Sequence, residues 1–97
     1  MSYKVEIMYC TQCRWLMRSA WMAQELLTTF TDEISALSLI PSTGGKFQVI
    51  ADGKIVWCRK EQGRFPDITE LKQLVRDIIS PDRHLGHSDK RPPSNVD

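Results

Sequence analysis

A chain of 97 residues is long enough for one domain with a single modest core and too short for two. Its hydrophobic fraction of 41% excludes a disordered chain, which would be more polar. Net charge is +1, from 13 Lys and Arg against 12 Asp and Glu. The two signs are interspersed, so no long-range field is set up that would hold a nucleic acid.

The chain starts Met1-Ser2-Tyr3-Lys4-Val5-Glu6, and the charges at Lys4 and Glu6 are not those of a signal peptide. No run approaches the roughly 18 uncharged apolar residues needed to cross a bilayer. The expectation is a cytoplasmic protein with no membrane and no nucleic-acid partner. In that reducing compartment lasting disulfides are disfavoured, so the cysteines are catalytic, metal-binding or plain filler.

From residue 3 to residue 9, Tyr3, Val5, Ile7 and Tyr9 alternate with Lys4, Glu6 and Met8, the pattern of a half-buried strand. Cys10-Thr11-Gln12-Cys13 follows, and then Arg14 to Phe30, a stretch free of Gly and Pro. On a helical wheel Trp15, Leu16, Ala20, Met22, Ala23, Leu26, Leu27 and Phe30 form one broad apolar stripe, opposite Arg14, Arg18, Glu25 and Thr29. Met17 and Trp21 lie off that stripe. Packing against the second helix or its connection explains them most simply. Otherwise they are an exposed partner-binding patch near the thiols.

Ile34 to Ile40 predicts a second strand, broken by Pro41-Ser42-Thr43-Gly44-Gly45. Phe47, Val49 and Ala51 alternate in a third strand, and Ile55 and Trp57 are expected to share one face of a fourth. Asp52-Gly53 between them is a tight-hairpin signal. Arg59 to Pro66 reads as a polar connection. Pro66-Asp67 opens a last helix with Ile68, Leu71, Val75 and Ile78 on one face, and Ser80-Pro81 ends it. Residues 1–80 are thus one domain, and the polar composition of 81–97 predicts a mobile tail.

The order β-α-β-β-β-α makes the first two strands parallel, through a crossover, and the hairpin antiparallel. Alternating rather than uniformly apolar strands put both helices on one face. The expected architecture is therefore an α/β (α+β) two-layer sandwich with a four-stranded mixed sheet.

Cys-x-x-Cys between a strand and a helix has a physical use. First-turn N–H groups and the helix dipole favour a thiolate, and the second sulfur lies within reach of a mixed disulfide. Arg14, next in sequence, adds a cation as electrostatic helper. Cys10 and Cys13 are the candidate catalytic pair, exchanging with a protein disulfide or a small thiol. No bound cofactor is needed, and a thiol serves as electron donor. Two alternatives stay open: a binding module gated by oxidation of the pair, and a structural zinc site. Zinc would need ligands beyond the motif. Cys58, His84 and His87 are available, but Cys58 reads as a small hydrophobe on the sheet and the histidines as solvated.

Tyr9-Cys10-Thr11-Gln12-Cys13, Thr43-Gly44-Gly45-Lys46-Phe47 and the hairpin ending at Trp57 together resemble the selenoprotein W-related proteins of the Rdx (SelT/SelW/SelH) family. The similarity runs from about residue 3 to residue 80. It implies a thioredoxin-like fold and a role in cell redox homeostasis, linked to glutathione or oxidative stress. Family members often carry selenocysteine at the second position of the motif, which here is Cys13. That points to Cys13 as the reactive atom, whereas thioredoxin logic selects Cys10, and the order stays open. In such a fold the Thr43-Gly44-Gly45 loop lies near the motif, where its backbone groups could bind substrate.

Overall fold

The structure is a computed structural model that describes residues 2–89. Four strands, β1 (Tyr3–Cys10), β2 (Ile34–Ser42), β3 (Phe47–Ala51) and β4 (Lys54–Cys58), form one sheet in the order β2-β1-β3-β4. The pair β1–β2 is parallel, and β1–β3 and β3–β4 are antiparallel. Helices α1 (Leu16–Thr29) and α3 (Ile68–Ile79) cover one face, and a single turn, α2 (Arg59–Gln62), follows β4 directly.

Strand alternation dictates this layering. Val5, Ile7, Val49 and Ala51 are wholly buried and Phe47 and Trp57 nearly so, under Met22, Leu26 and Phe30 of α1 with its cap and Leu71, Val75 and Ile79 of α3. Each large apolar side chain so buried contributes roughly 1.5–3 kcal/mol. On the other face Lys4, Glu6, Met8, Gln48 and Ile50 remain exposed or half-buried. The sheet is therefore covered on one side only.

Three local features depart from the sequence reading. Helix α1 begins at Leu16 rather than Arg14, because residues 11–14 form a turn closed by the Arg14 N–H on Thr11 O at 3.0 Å. Arg14 makes the corner with a φ of 60°, in the left-handed region. Of the expected stripe, Leu16 and Leu27 are exposed, and Ser19 is buried instead. β2 runs through Pro41 to Ser42, since an edge strand tolerates a missing N–H. In β4, Val49 opposes Trp57 while Ile50 opposes Ile55, so Val56 is an extra residue. That bulge sends Trp57 into the core and Ile55 to the open face, against the expectation that they share one. The Asp52-Gly53 hairpin has both residues at positive φ, as a type I′ turn requires.

Helix α3 starts as expected at Asp67, whose N–H is accepted by the Glu70 carboxylate at 3.3 Å. Residues 81–89, read from composition as the beginning of a mobile tail, make specific contacts. Arg83 donates to Glu33 at 3.0 Å, Leu85 packs against the core, and Gly86–Ser88 form a 3-10 turn. The buried Asp89 carboxylate receives the buried Arg76 guanidinium. A charge inside the body supplies the anchor that a polar composition conceals. The rest of the expected tail, 90–97, lies outside the described residues.

Candidate functional site

Cys10 is the last residue of the central strand β1, and its side chain is only 1% exposed. Cys13, in the turn that follows, is exposed. Both are free thiols. The turn is tied to the end of β2 by the Thr11 N–H and hydroxyl, which donate to Ser42 O at 3.0 and 3.3 Å. It is tied forward to α1 by the Trp15 N–H on Cys10 O at 3.4 Å. Strand pairing thus brings Cys10 beside Ser42, and with it the Thr43-Gly44-Gly45 loop that β2 leads into.

The two thiols act on each other, and in opposite directions. The hydrogen bond from the Cys13 thiol holds Cys10 below its ordinary pKa of 9.0, helped by the backbone N–H groups of Gly45, Cys13 and Gln12, although burial opposes it. The same bond, with burial and the Cys10 charge, pushes Cys13 above 9.0, while the Gly45 N–H and the Arg59 charge pull it down. Helix α1 starts three residues beyond Cys13, so loop amides do the work expected of its first turn. Consecutive left-handed glycines, with φ of 69° at Gly44 and 73° at Gly45, set the course of that loop. Gly45 therefore acts on the thiols through its N–H. Thr43 is not among the groups that shift either thiol, and Thr43 O accepts the Lys46 N–H at 3.4 Å.

Arg14, the expected electrostatic helper, is exposed, and the guanidinium that bears on Cys13 belongs to Arg59. Arg59 is the first residue of α2, and its guanidinium carbon lies 4.8 Å from the Trp15 ring centre and 5.0 Å from that of Phe65. Phe65 packs edge-on to Trp15 and to Phe47, and Arg18 stacks on it at 4.4 Å. Sequence reading missed Arg59 and Phe65 because both fall in a segment taken as a plain connection. Its one signal was an aromatic before a proline in an otherwise polar run.

Met17 and Trp21 do not pack on the second helix: they are 85% and 48% exposed, and with Leu16 they form an apolar surface on α1 after the thiol turn. Cys58 sits half-buried on the open sheet face, where Gln48 Nε2 donates to its sulfur at 3.6 Å. The Glu61 N–H, then Gln48, hold Cys58 below the ordinary thiol value. Among the described residues no three His, Cys, Asp or Glu side chains gather as a metal site. The Nδ1 atom of His84 accepts the Gly86 N–H, and His87 is exposed. A surface concavity lined by Lys4, Glu6, Ser35, Ser38 and Asp52 lies at the opposite end of β1 from the thiols. No helix among the described residues is long and apolar enough to cross a membrane.

A reduced dithiol turn at the end of a central strand, roofed by two helices on one face of a mixed sheet, defines a protein of thioredoxin-like fold. Residues 4–77 match the Rdx family, and the chain belongs to that family. It is similar to the crystal structure of a selenoprotein W-related protein from Vibrio cholerae, with 49% identity and a TM-score of 0.80, over 82% of this chain and all of that one. A crystal structure of a Bordetella parapertussis protein is also 49% identical, with a TM-score of 0.75, over 77% of this chain and 95% of that one. Among proteins of curated function, none matches.

Proposed function

We propose that this Rdx-family protein is a thiol-disulfide oxidoreductase of the cytoplasm, working on a protein disulfide or a small thiol compound. The carrying observation is the dithiol turn itself: two free thiols three residues apart, Cys10 buried at the end of the central strand and Cys13 exposed. Cys10 is held below and Cys13 above the ordinary thiol value. Only Cys13 of the two is exposed, so Cys13 meets the substrate and Cys10 resolves. As substrate arrives, Cys13 passes its proton to the Cys10 thiolate and attacks one sulfur of the disulfide. That bond breaks and one thiolate leaves. Cys10 then loses the proton to solvent and attacks Cys13 in the mixed disulfide, releasing the second thiolate. Two electrons pass from the dithiol to the substrate, and a thiol such as glutathione restores the pair.

Titration against glutathione redox buffers, followed by mass spectrometry, tests this reading. A reversible Cys10–Cys13 disulfide that is lost in Cys10→Ser and in Cys13→Ser supports it. Zinc co-purifying with thiols that resist oxidation until it is chelated would overturn it. A second reading, a binding module gated by oxidation, is favoured by the exposure of Met17 and Trp21 after the turn. Under it, Trp21→Gln weakens partner capture and spares disulfide exchange, and capture untouched by that change would exclude the patch.

A further inference from the structure

We propose that Arg18 and Arg59 form a subsite for a carboxylate carried by the disulfide substrate, beside the Cys10–Cys13 turn. This rests on the oxidoreductase reading and names the class of substrate that reading leaves open.

The case begins with charge. Arg64, Arg76 and Arg83 each have a carboxylate partner, at Glu70, at Asp77 and Asp89, and at Glu33. Arg18 and Arg59 have none among the described residues, and both stack on the same ring, Phe65, at 4.4 and 5.0 Å. Two guanidinium groups stacked on one ring repel each other, and an anion within reach of both would offset that repulsion. Stacking favours a cation but offers its N–H donors no acceptor. The Nε of Arg59 is buried without a hydrogen-bond partner, a state that costs free energy until an acceptor arrives.

Position supplies the rest. Arg59 also stacks on Trp15 at 4.8 Å, and the Trp15 N–H is bonded to Cys10 O at 3.4 Å. The two cations are thus held by aromatic side chains joined to the thiol turn. The Arg59 charge reaches Cys13. The planar guanidinium fork matches a carboxylate, the anion that a disulfide of peptide origin carries near its sulfur. Such a substrate would present its S–S bond to Cys13 while its acid group rests against Arg18 and Arg59.

The test uses two chromogenic disulfides on the reduced full chain in single turnovers: dithiobis(nitrobenzoate), a dianion, and dithiodipyridine, which is neutral. In both, a protein thiolate attacks one sulfur and an aromatic thiolate leaves. The second cysteine then closes the Cys10–Cys13 bond and releases the other. The ratio of the two rate constants cancels any change in the thiolate itself. Arg18→Gln and Arg59→Gln are each expected to lower that ratio about tenfold, the size of one charge-assisted hydrogen bond. Arg18→Lys should keep most of it, and added salt should lower the wild-type ratio. A ratio unmoved by either glutamine variant, or by salt in the wild-type chain should the variants fail to fold, overturns the subsite. Reaction with the neutral disulfide that leaves no Cys10–Cys13 bond would instead sink the dithiol reading. The subsite is then read in the Cys10→Ser/Cys13→Ser chain, by the NMR shifts of the Arg18 and Arg59 Nε–H groups. Titration with thiodipropionate, a redox-inert dicarboxylate, should move them saturably, and no movement overturns the proposal.

Discussion

Replacing Asp89 with alanine would leave the Arg76 guanidinium charged inside the protein, its side chain 4% exposed where the lost carboxylate was wholly covered. Breaking a buried pair from one side costs about 3–5 kcal/mol. Here the lower end applies, because Arg76 keeps the Asp77 carboxylate at 2.7 Å and Arg83 O at 3.0 Å. The Leu85 N–H, which donates to Asp89 at 3.1 Å, also loses its acceptor, a further loss of about 1 kcal/mol. The sum is roughly 3–4 kcal/mol, a large part of the 5–15 kcal/mol typical of a small domain. In a domain of this size it corresponds to a fall in Tm of roughly 12–30 °C. Urea unfolding of the reduced chain, followed by far-UV circular dichroism, measures it. Asp77→Ala is the control: that side chain is 57% exposed, and its loss should cost less than about 1 kcal/mol. Arg76→Met with Asp89→Leu should recover most of the stability, since an apolar pair replaces an ionic one with little loss. An Asp89→Ala chain within about 0.5 kcal/mol of wild type would refute the reasoning, and with it the anchoring of residues 81–89.

Four further expectations follow from the site and its helix. Thiolate absorbance of the reduced pair should rise in two steps, one below pH 9.0 and one above it, and a single two-thiolate step at 9.0 would exclude the opposite shifts of the two thiols. By linkage, the depressed Cys10 makes stability rise with pH up to the unfolded value near 9.0, and the raised Cys13 makes it fall above that. Stability measured across this range should therefore peak near the unfolded thiol value, and a monotonic profile would contradict the assignment. Gly45→Ala should cost about 1–2 kcal/mol by chemical denaturation through its φ of 73° alone, because a Cβ there meets nothing within 4 Å. Met17→Gln should stay within about 0.5 kcal/mol of wild type, whereas Met22→Ala should lose about 2–5 kcal/mol, and similar losses from both would mean that the α1 register is wrong.

Much of the fold was legible because local and global signals agree. The alternation of Tyr3 to Tyr9, the Asp52-Gly53 hairpin and the Asp67 cap each determine their own element, and their order leaves a mixed sheet with helices on one face. What escaped reading depends on contacts distant in sequence. Strict alternation cannot disclose the Val56 bulge, because nothing in Lys54 to Cys58 marks which residue is extra. The helical wheel placed Leu16 and Leu27 inside, since it takes account of hydrophobicity and not of where the sheet ends. Asp89 read as tail because its partner, Arg76, is buried on a helix thirteen residues earlier. In the site the cysteine pair was plain, but its cation was assigned by adjacency. Arg14 follows Cys13 in the chain, and its left-handed corner starts the run into α1. Arg59 reaches the thiols only because β4 ends beside β3 and α2 turns its first residue toward Trp15.

The proposed division of labour between the two cysteines rests on the same geometry. Ending a fully paired central strand buries Cys10, and burial alone would raise its pKa and make it inert. The turn reverses that outcome by aiming the Cys13 thiol and three loop N–H groups at the Cys10 sulfur. The buried sulfur is thus the more acidic of the two and the accessible one the less. In the proposed reaction the accessible Cys13 meets the substrate and the more acidic Cys10 closes the disulfide. This arrangement ties product release to the integrity of the pair. With Cys10 replaced by serine, Cys13 loses the neighbour that raises it and should still attack a disulfide at neutral pH. The reaction should stop at the mixed disulfide, with one thiolate released. Alkylation of Cys13 should then follow a simple thiol titration near the ordinary value. A Cys10→Ser chain that releases both thiolates of the disulfide would show that Cys10 is not the resolving cysteine.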